Sequence, residues 1–180
     1  MQHRHKFLLF RVYRFRDTEA YGQLYDFFVL RIRRFISFRV PRYEDAEDLT
    51  AEVFLRGWEY ATASMVKSPN GFFYRIAKNV VADFYRKRSV ESDLADAAEV
   101  ASSGTPINER LDQNQDTSEL LASLQELKEE YRDVLVMRYL DEMSVKEIAE
   151  ALEKSTNNVR VLLYRAKNAL KVVTAKTYHS

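Results

Sequence analysis

The sequence predicts an all-α protein: an N-terminal helical bundle and a C-terminal helix-turn-helix domain joined by a flexible acidic linker. Three observations carry that reading. Apolar residues recur at three- and four-residue spacing in several long segments, as they do on one buried helix face. The 180 residues include four Gly and three Pro, too few for the turn-rich, alternating pattern of a β protein. Residues 89–116 (SVESDLADAAEVASSGTPINERLDQNQD) have no aromatic side chain, a Gly-Thr-Pro break and an acidic bias, which is a linker composition. A structureless loop of that length inside one domain would be unusual, so the expected division is 1–88, linker 89–116, and 117–180.

The first domain reads as three main helices. Residues 5–16 leave two readings open, because Phe10-Arg11-Val12-Tyr13-Arg14-Phe15 alternates like a strand and also fits a short leading helix. Thr18 is the expected N-cap of a helix reaching Phe38, with Leu24, Phe27, Phe28, Leu30, Ile32 and Phe35 in a helical pattern. Pro41 ends it and helps start the next, about Tyr43 to Tyr60, whose Asp45, Glu47 and Asp48 suit the positive end of the helix dipole. Ser68-Pro69-Asn70-Gly71 breaks the chain again, before a helix from about Phe72 to Arg88.

That last helix is strongly two-faced. Phe73, Ile76, Ala77, Val80, Val81 and Phe84 share one side. Arg75, Lys78, Asn79, Asp83 and Arg86 lie opposite, with Tyr74 and Tyr85 at one edge and Phe72 towards the other. Cations interleaved with aromatic rings suit single-stranded nucleic acid, which offers phosphates to the one and unstacked bases to the other. Asp83 and Arg86 alone read more simply as a local i,i+3 ion pair.

Near the C-terminus, Ser144 and Glu147 form a capping box ahead of Ile148, Ala149 and Leu152. After a short break, Val159, Leu163, Ala166 and Leu170 fall on one side of a second helix. Asn157, Arg160, Tyr164, Asn168 and Lys171 fall on the other. Two short helices at a tight turn, the second cationic outside, make the arrangement that lays a recognition helix in the DNA major groove. An ordinary hairpin with a solvated face would mix charge signs. From Lys154 onward there are six Lys or Arg and no Asp or Glu, which favours a polyanionic partner.

The net charge of +1 conceals alternating blocks: +7 over 1–43, −5 over 44–66, +5 over 67–88, −9 over 89–133, −3 over 134–153 and +6 over 154–180. Blocks of that size suggest separate surfaces for cationic and anionic partners. Without Cys there are no disulfides or thiolate metal sites, and the three His (His3, His5, His179) lie at the termini. No Gly-rich phosphate loop or metal-ligand spacing appears, so neither an enzyme nor a cofactor is expected. No apolar run is long enough to span a membrane, and a cytoplasmic location is expected.

Three of these segments, in order, resemble the extracytoplasmic-function sigma factors of bacterial RNA polymerase. Asp45-Ala46-Glu47-Asp48-Leu49-Thr50-Ala51-Glu52-Val53-Phe54-Leu55-Arg56-Gly57-Trp58 is similar to the family's core-binding helix. Phe72 to Arg88 is similar to its promoter −10 helix, and Ala61–Gly71 to the loop that captures a flipped −10 base. Tyr131-Arg132-Asp133-Val134-Leu135-Val136-Met137-Arg138-Tyr139 with the helix-turn-helix is similar to its −35-binding domain. The resemblance implies a region-2 domain at 1–88 and a region-4 domain at 117–180. It implies core RNA polymerase, melted −10 DNA and duplex −35 DNA as partners, and leaves room for an anti-sigma factor. Core polymerase would meet Asp45, Asp48, Leu49, Glu52 and Phe54. The −10 strand would meet Lys67, Asn70, Phe72, Arg75, Lys78, Asn79 and Arg86, and the −35 duplex Asn157, Asn158, Arg160, Tyr164, Arg165 and Lys171.

The chain departs from the family pattern at five places. Ala51 stands where Gln is usual, Phe72 where Trp is, Leu162 where Arg is frequent, and Glu142 and Glu153 where the two −35-domain turns usually have Gly. The competing reading is a helix-turn-helix regulator that does not bind polymerase, its first domain a dimerisation bundle. The charged Asp45–Glu52 helix argues against that, since a dimer seam would be apolar.

Overall fold

The computed structural model describes residues 2–94 and 122–177, and all regular structure among them is helical. The chain divides into two compact units, Met1–Thr105 and Pro106–Ser180.

Four helices build the first unit: α1 (Gln2–Phe15), α2 (Thr18–Ser37), α3 (Tyr43–Ala63) and α4 (Pro69–Leu94). The segment with two open readings is a helix. Its alternation is outweighed by His5, Leu8, Leu9 and Val12, which recur at helical spacing and are buried. Arg16 turns the chain with a left-handed backbone, φ 50°. Asp17, not Thr18, then caps α2, its carboxylate accepting the Ala20 amide at 2.9 Å while Arg11 holds it at 2.6 Å. That amide, with Arg11, keeps the Asp17 carboxyl below its ordinary pKa.

The chain break predicted at Ser68–Gly71 is shorter than expected. Pro69 is already the first residue of α4, where its missing N–H costs nothing, and the Ser68 carbonyl accepts the Phe72 amide at 2.9 Å. At the other end α4 runs six residues past Arg88, to Leu94. The predicted linker from residue 95 onward lies outside the described residues.

Phe73 sits at the centre of this core, its ring 4.7 Å from that of Phe28, 5.2 Å from Phe54 and 5.0 Å from Phe72. Gly57 makes the close packing there possible. A Cβ on it would lie 2.7 Å from the Tyr21 hydroxyl oxygen and 3.2 Å from Phe73. That hydroxyl donates to the Phe54 carbonyl at 2.5 Å, and burial pushes its pKa up. Asp83 ties α4 to α3, accepting from Arg56 at 2.9 Å as well as from Arg86 at 2.7 Å, so it is more than the local i,i+3 pair. Arg56 above all holds the Asp83 carboxyl below its usual range.

In the second unit, residues 122–125 are helical and are followed by α5 (Glu129–Leu135), a π-helical turn (Val136–Leu140), α6 (Val145–Leu152) and α7 (Thr156–Thr177). The capping box forms as read: Ser144 accepts the Glu147 amide at 3.2 Å, and Glu147 accepts the Ser144 amide at 2.8 Å. Both turns that lack Gly are left-handed, with φ 54° at Glu142 and 55° at Glu153. Arg138 braces the first by donating to the Met143 carbonyl at 2.8 Å. Glu153 is exposed and in the conformation that suits glycine. Glu153→Gly is therefore expected to stabilise this unit by about 0.5–1 kcal/mol, read as a higher urea midpoint at unchanged slope.

Candidate polymerase and promoter interfaces

On α3 the expected partner-binding residues separate into two sets. Asp48 is exposed, with Glu44, Glu47, Ala51 and Leu55 on the same side. Asp45 is turned inward, where both its oxygens take the Arg42 guanidinium at 2.8 and 3.0 Å. Glu52 is engaged by Arg56 at 2.5 Å. Leu49 and Phe54 are buried, Leu49 in the core and Phe54 as the floor of a groove. That groove, about 550 Å³, runs between α2 and α3 past Tyr25, Val29, Ala51, Leu55 and Trp58, with Glu47 and Arg33 on its walls. Phe54 is in the set expected to meet polymerase, but Tyr25, Val29, Leu55 and Trp58 are not. They belong to a surface shared by two helices, which no single-helix periodicity describes.

Arg75, Lys78, Asn79 and Arg86 form one exposed strip along α4, joined by Ala82. The aromatic part of the expected face is different. Phe72 is 3% exposed because Tyr60 of α3 covers it, ring to ring at 5.4 Å. Tyr74 is fully buried against Phe35 at 5.1 Å. Tyr85 alone of the three is exposed, and its hydroxyl donates to the Arg39 carbonyl. The loop before α4 is non-helical over 64–68 only, with Lys67 and Met65 exposed and Val66 buried as an anchor. Asn70, expected in this loop, is buried in the first turn of α4.

On α7 the inward residues are Val159, Leu162 and Ala166, with Leu163 half-buried, so the apolar stripe is displaced from the predicted one. Leu162, where the family often has Arg, is core. Asn157, Arg160, Tyr164 and Lys171 lie close together round the helix and are exposed, Tyr164 at 71%. Asn158 and Arg165 are exposed on its flank. Of the six terminal cations, Lys154 is engaged within the unit, 3.2 Å from Glu130. The remaining polar strip stands beside the capped α6, the geometry a helix-turn-helix needs to enter a groove.

Comparison with known proteins matches both units to one family. Residues 24–91 match the sigma-70 region 2 model, and residues 117–170 the sigma-70 region 4 model. The chain belongs to the extracytoplasmic-function sigma factors. It is 29% identical over 161 residues to the sigma factor BldN of Streptomyces coelicolor, covering 86% of this chain but 60% of that one. It is 24% identical over 151 residues to SigM of Bacillus subtilis, covering 84% and 93%. The sigma-factor fold also recurs in solved structures. The Bartonella quintana sigma factor RpoE, in complex with the anti-sigma factor NepR, superposes with a TM-score of 0.65 at 18% identity. That match covers 87% of this chain and 98% of that one. The structure of CnrH in complex with the cytosolic domain of CnrY gives 0.66 at 20%, covering 96% and 98%. In this sigma factor, no helix among the described residues is long and apolar enough to cross a membrane.

Proposed function

We propose that this chain is an alternative sigma factor whose surfaces divide the work of initiation. The α2–α3 groove with its acidic rim (Glu44, Glu47, Asp48) takes core RNA polymerase. The Arg75–Arg86 strip of α4, with Lys67 and Met65 of the preceding loop, takes the melted −10 strand. The outer strip of α7 takes the −35 duplex, Arg160 near the N-terminal end that enters the groove and Lys171 on a phosphate. On this reading the first unit, with α4 extended past residue 88 to Leu94, acts on polymerase and the −10 element, 117–180 acts on the −35 element, and the rest of 89–116 links them. The protein is an initiation factor rather than an enzyme and works in the cytoplasm beside its polymerase. An anti-sigma factor is proposed as a regulatory partner.

The observation that carries the reading is the pairing, in one unit, of an acid-rimmed apolar groove with a separate cationic strip. One surface suits a cationic protein partner and the other suits nucleic acid. Asp48→Arg tests it. The side chain is exposed, so the substitution is expected to cost less than about 0.5 kcal/mol of stability. Core affinity is expected to fall roughly fivefold to tenfold, with a weaker salt dependence, measured by titrating labelled core polymerase. A folded mutant with wild-type core affinity would remove this surface from the interface.

A further inference from the structure

Helix α1 precedes residue 24, where the matched family model begins, and it has an outer face that the preceding reading does not use. Four large rings on it are exposed: Phe15, at 68%, stands about 80° round from Phe7, while Phe7 at 59%, Phe10 at 43% and Tyr13 at 40% share one side. His3, Lys6 and Arg14 are exposed on the same side. At about 100° per residue the order round the helix is Tyr13, Lys6, Phe10, His3, Arg14, Phe7, all within roughly a third of the circumference. The helix contains no Asp or Glu. Asp17, the carboxylate that follows it, is already taken by Arg11 at 2.6 Å.

We propose that this face of α1 is a second binding site for single-stranded DNA, of two or three nucleotides, contacting promoter strand that the −10 strip of α4 leaves free. These three rings recur every third residue, about 4.5 Å apart along the axis, so successive unstacked bases can each find a π-face. Round the helix Lys6 and Arg14 fall between the rings, and along it they stand at the two ends of the row, where they supply charge to the phosphates. The same interleaving disfavours a lipid surface. There, a continuous apolar face enters the acyl boundary with cations at its edges, whereas here burying Phe10 would take Lys6 and Arg14 down with it. The polyanion is also already at hand, because the proposal rests on the reading that α4 holds the melted strand.

The test is fluorescence anisotropy of the full-length protein with a labelled 12-residue oligodeoxythymidylate. Binding by the wild type is expected to weaken at least tenfold in Phe7→Ala/Phe10→Ala/Tyr13→Ala. Lys6→Ala/Arg14→Ala is expected to lower the salt slope by about 1.4, and Phe10→Trp to keep or tighten binding. The retained binding of Phe10→Trp separates stacking from a folding defect. Arg75→Ala/Lys78→Ala separates this site from that of α4. If that variant loses the oligonucleotide while the triple-alanine variant keeps it, the α1 site is overturned and the α4 reading stands. If the triple-alanine variant alone loses it, the α1 site stands and the α4 reading falls. No measurable binding by the wild type overturns the proposal. So does a triple-alanine variant that binds DNA normally but no longer binds vesicles of phosphatidylglycerol and phosphatidylcholine.

Discussion

Phe73→Ala is expected to destabilise the first unit by about 3–5 kcal/mol, a large share of the stability a domain of this size has. The ring is fully buried and touches aromatic side chains from α2, α3 and its own helix. Truncation therefore leaves a cavity that three helices must collapse to fill, and the packing that Gly57 permits between Tyr21 and Phe73 loses one wall. Urea unfolding followed by aromatic fluorescence measures the loss. Phe7→Ala is the control, because Phe7 is 59% exposed and its removal is expected to change stability by less than about 0.5 kcal/mol. A loss below about 1 kcal/mol for Phe73→Ala would mean that the core is not centred there.

The second large effect is expected on the −35 helix. Arg160 and Lys171 are both exposed and on one strip, while Val159, Leu162 and Ala166 form the packed side, so truncating either cation opens no cavity. Arg160→Ala is expected to cost roughly 1–3 kcal/mol on the cognate −35 duplex and less on a scrambled one, because a base-edge contact discriminates. Lys171→Ala is expected to weaken both duplexes alike and to reduce the salt slope by about 1, because a phosphate contact is blind to sequence. A salt series on both duplexes separates the two roles. Equal losses on both duplexes for Arg160→Ala would deny it a reading role.

Much of the architecture was legible because helical periodicity and capping are local. The Ser144–Glu147 box formed as read, and the two turns lacking Gly are left-handed, the conformation for which glycine is usually chosen. What failed was non-local. A wheel drawn on Phe72–Arg88 sets Phe72 and Tyr74 at the edges of an open face. It has no knowledge of Tyr60 and Phe35, which arrive from α3 and α2 to cover them. Leu162 is buried for a similar reason. Helix α7 packs against both α5 and α6, which widens its inward side beyond a single stripe. Asp45 looked like part of an acidic surface, yet it is buried and both its oxygens are taken by Arg42, three residues before it. The α2–α3 groove joins Tyr25 and Val29 to Leu55 and Trp58, about thirty positions apart, so only packing reveals it.

The central claim is that this chain makes core polymerase specific for a set of promoters. Run-off transcription on fragmented genomic DNA, with core polymerase alone and with the purified protein added, followed by mapping of the 5′ ends, tests it most directly. The expected result is a discrete set of new start sites that appear only with the protein, share a −35 and a −10 sequence, and weaken in Asp48→Arg. Sequence-specific DNA binding by the protein alone, with no new start sites and no association with core polymerase, would contradict it and leave a helix-turn-helix regulator.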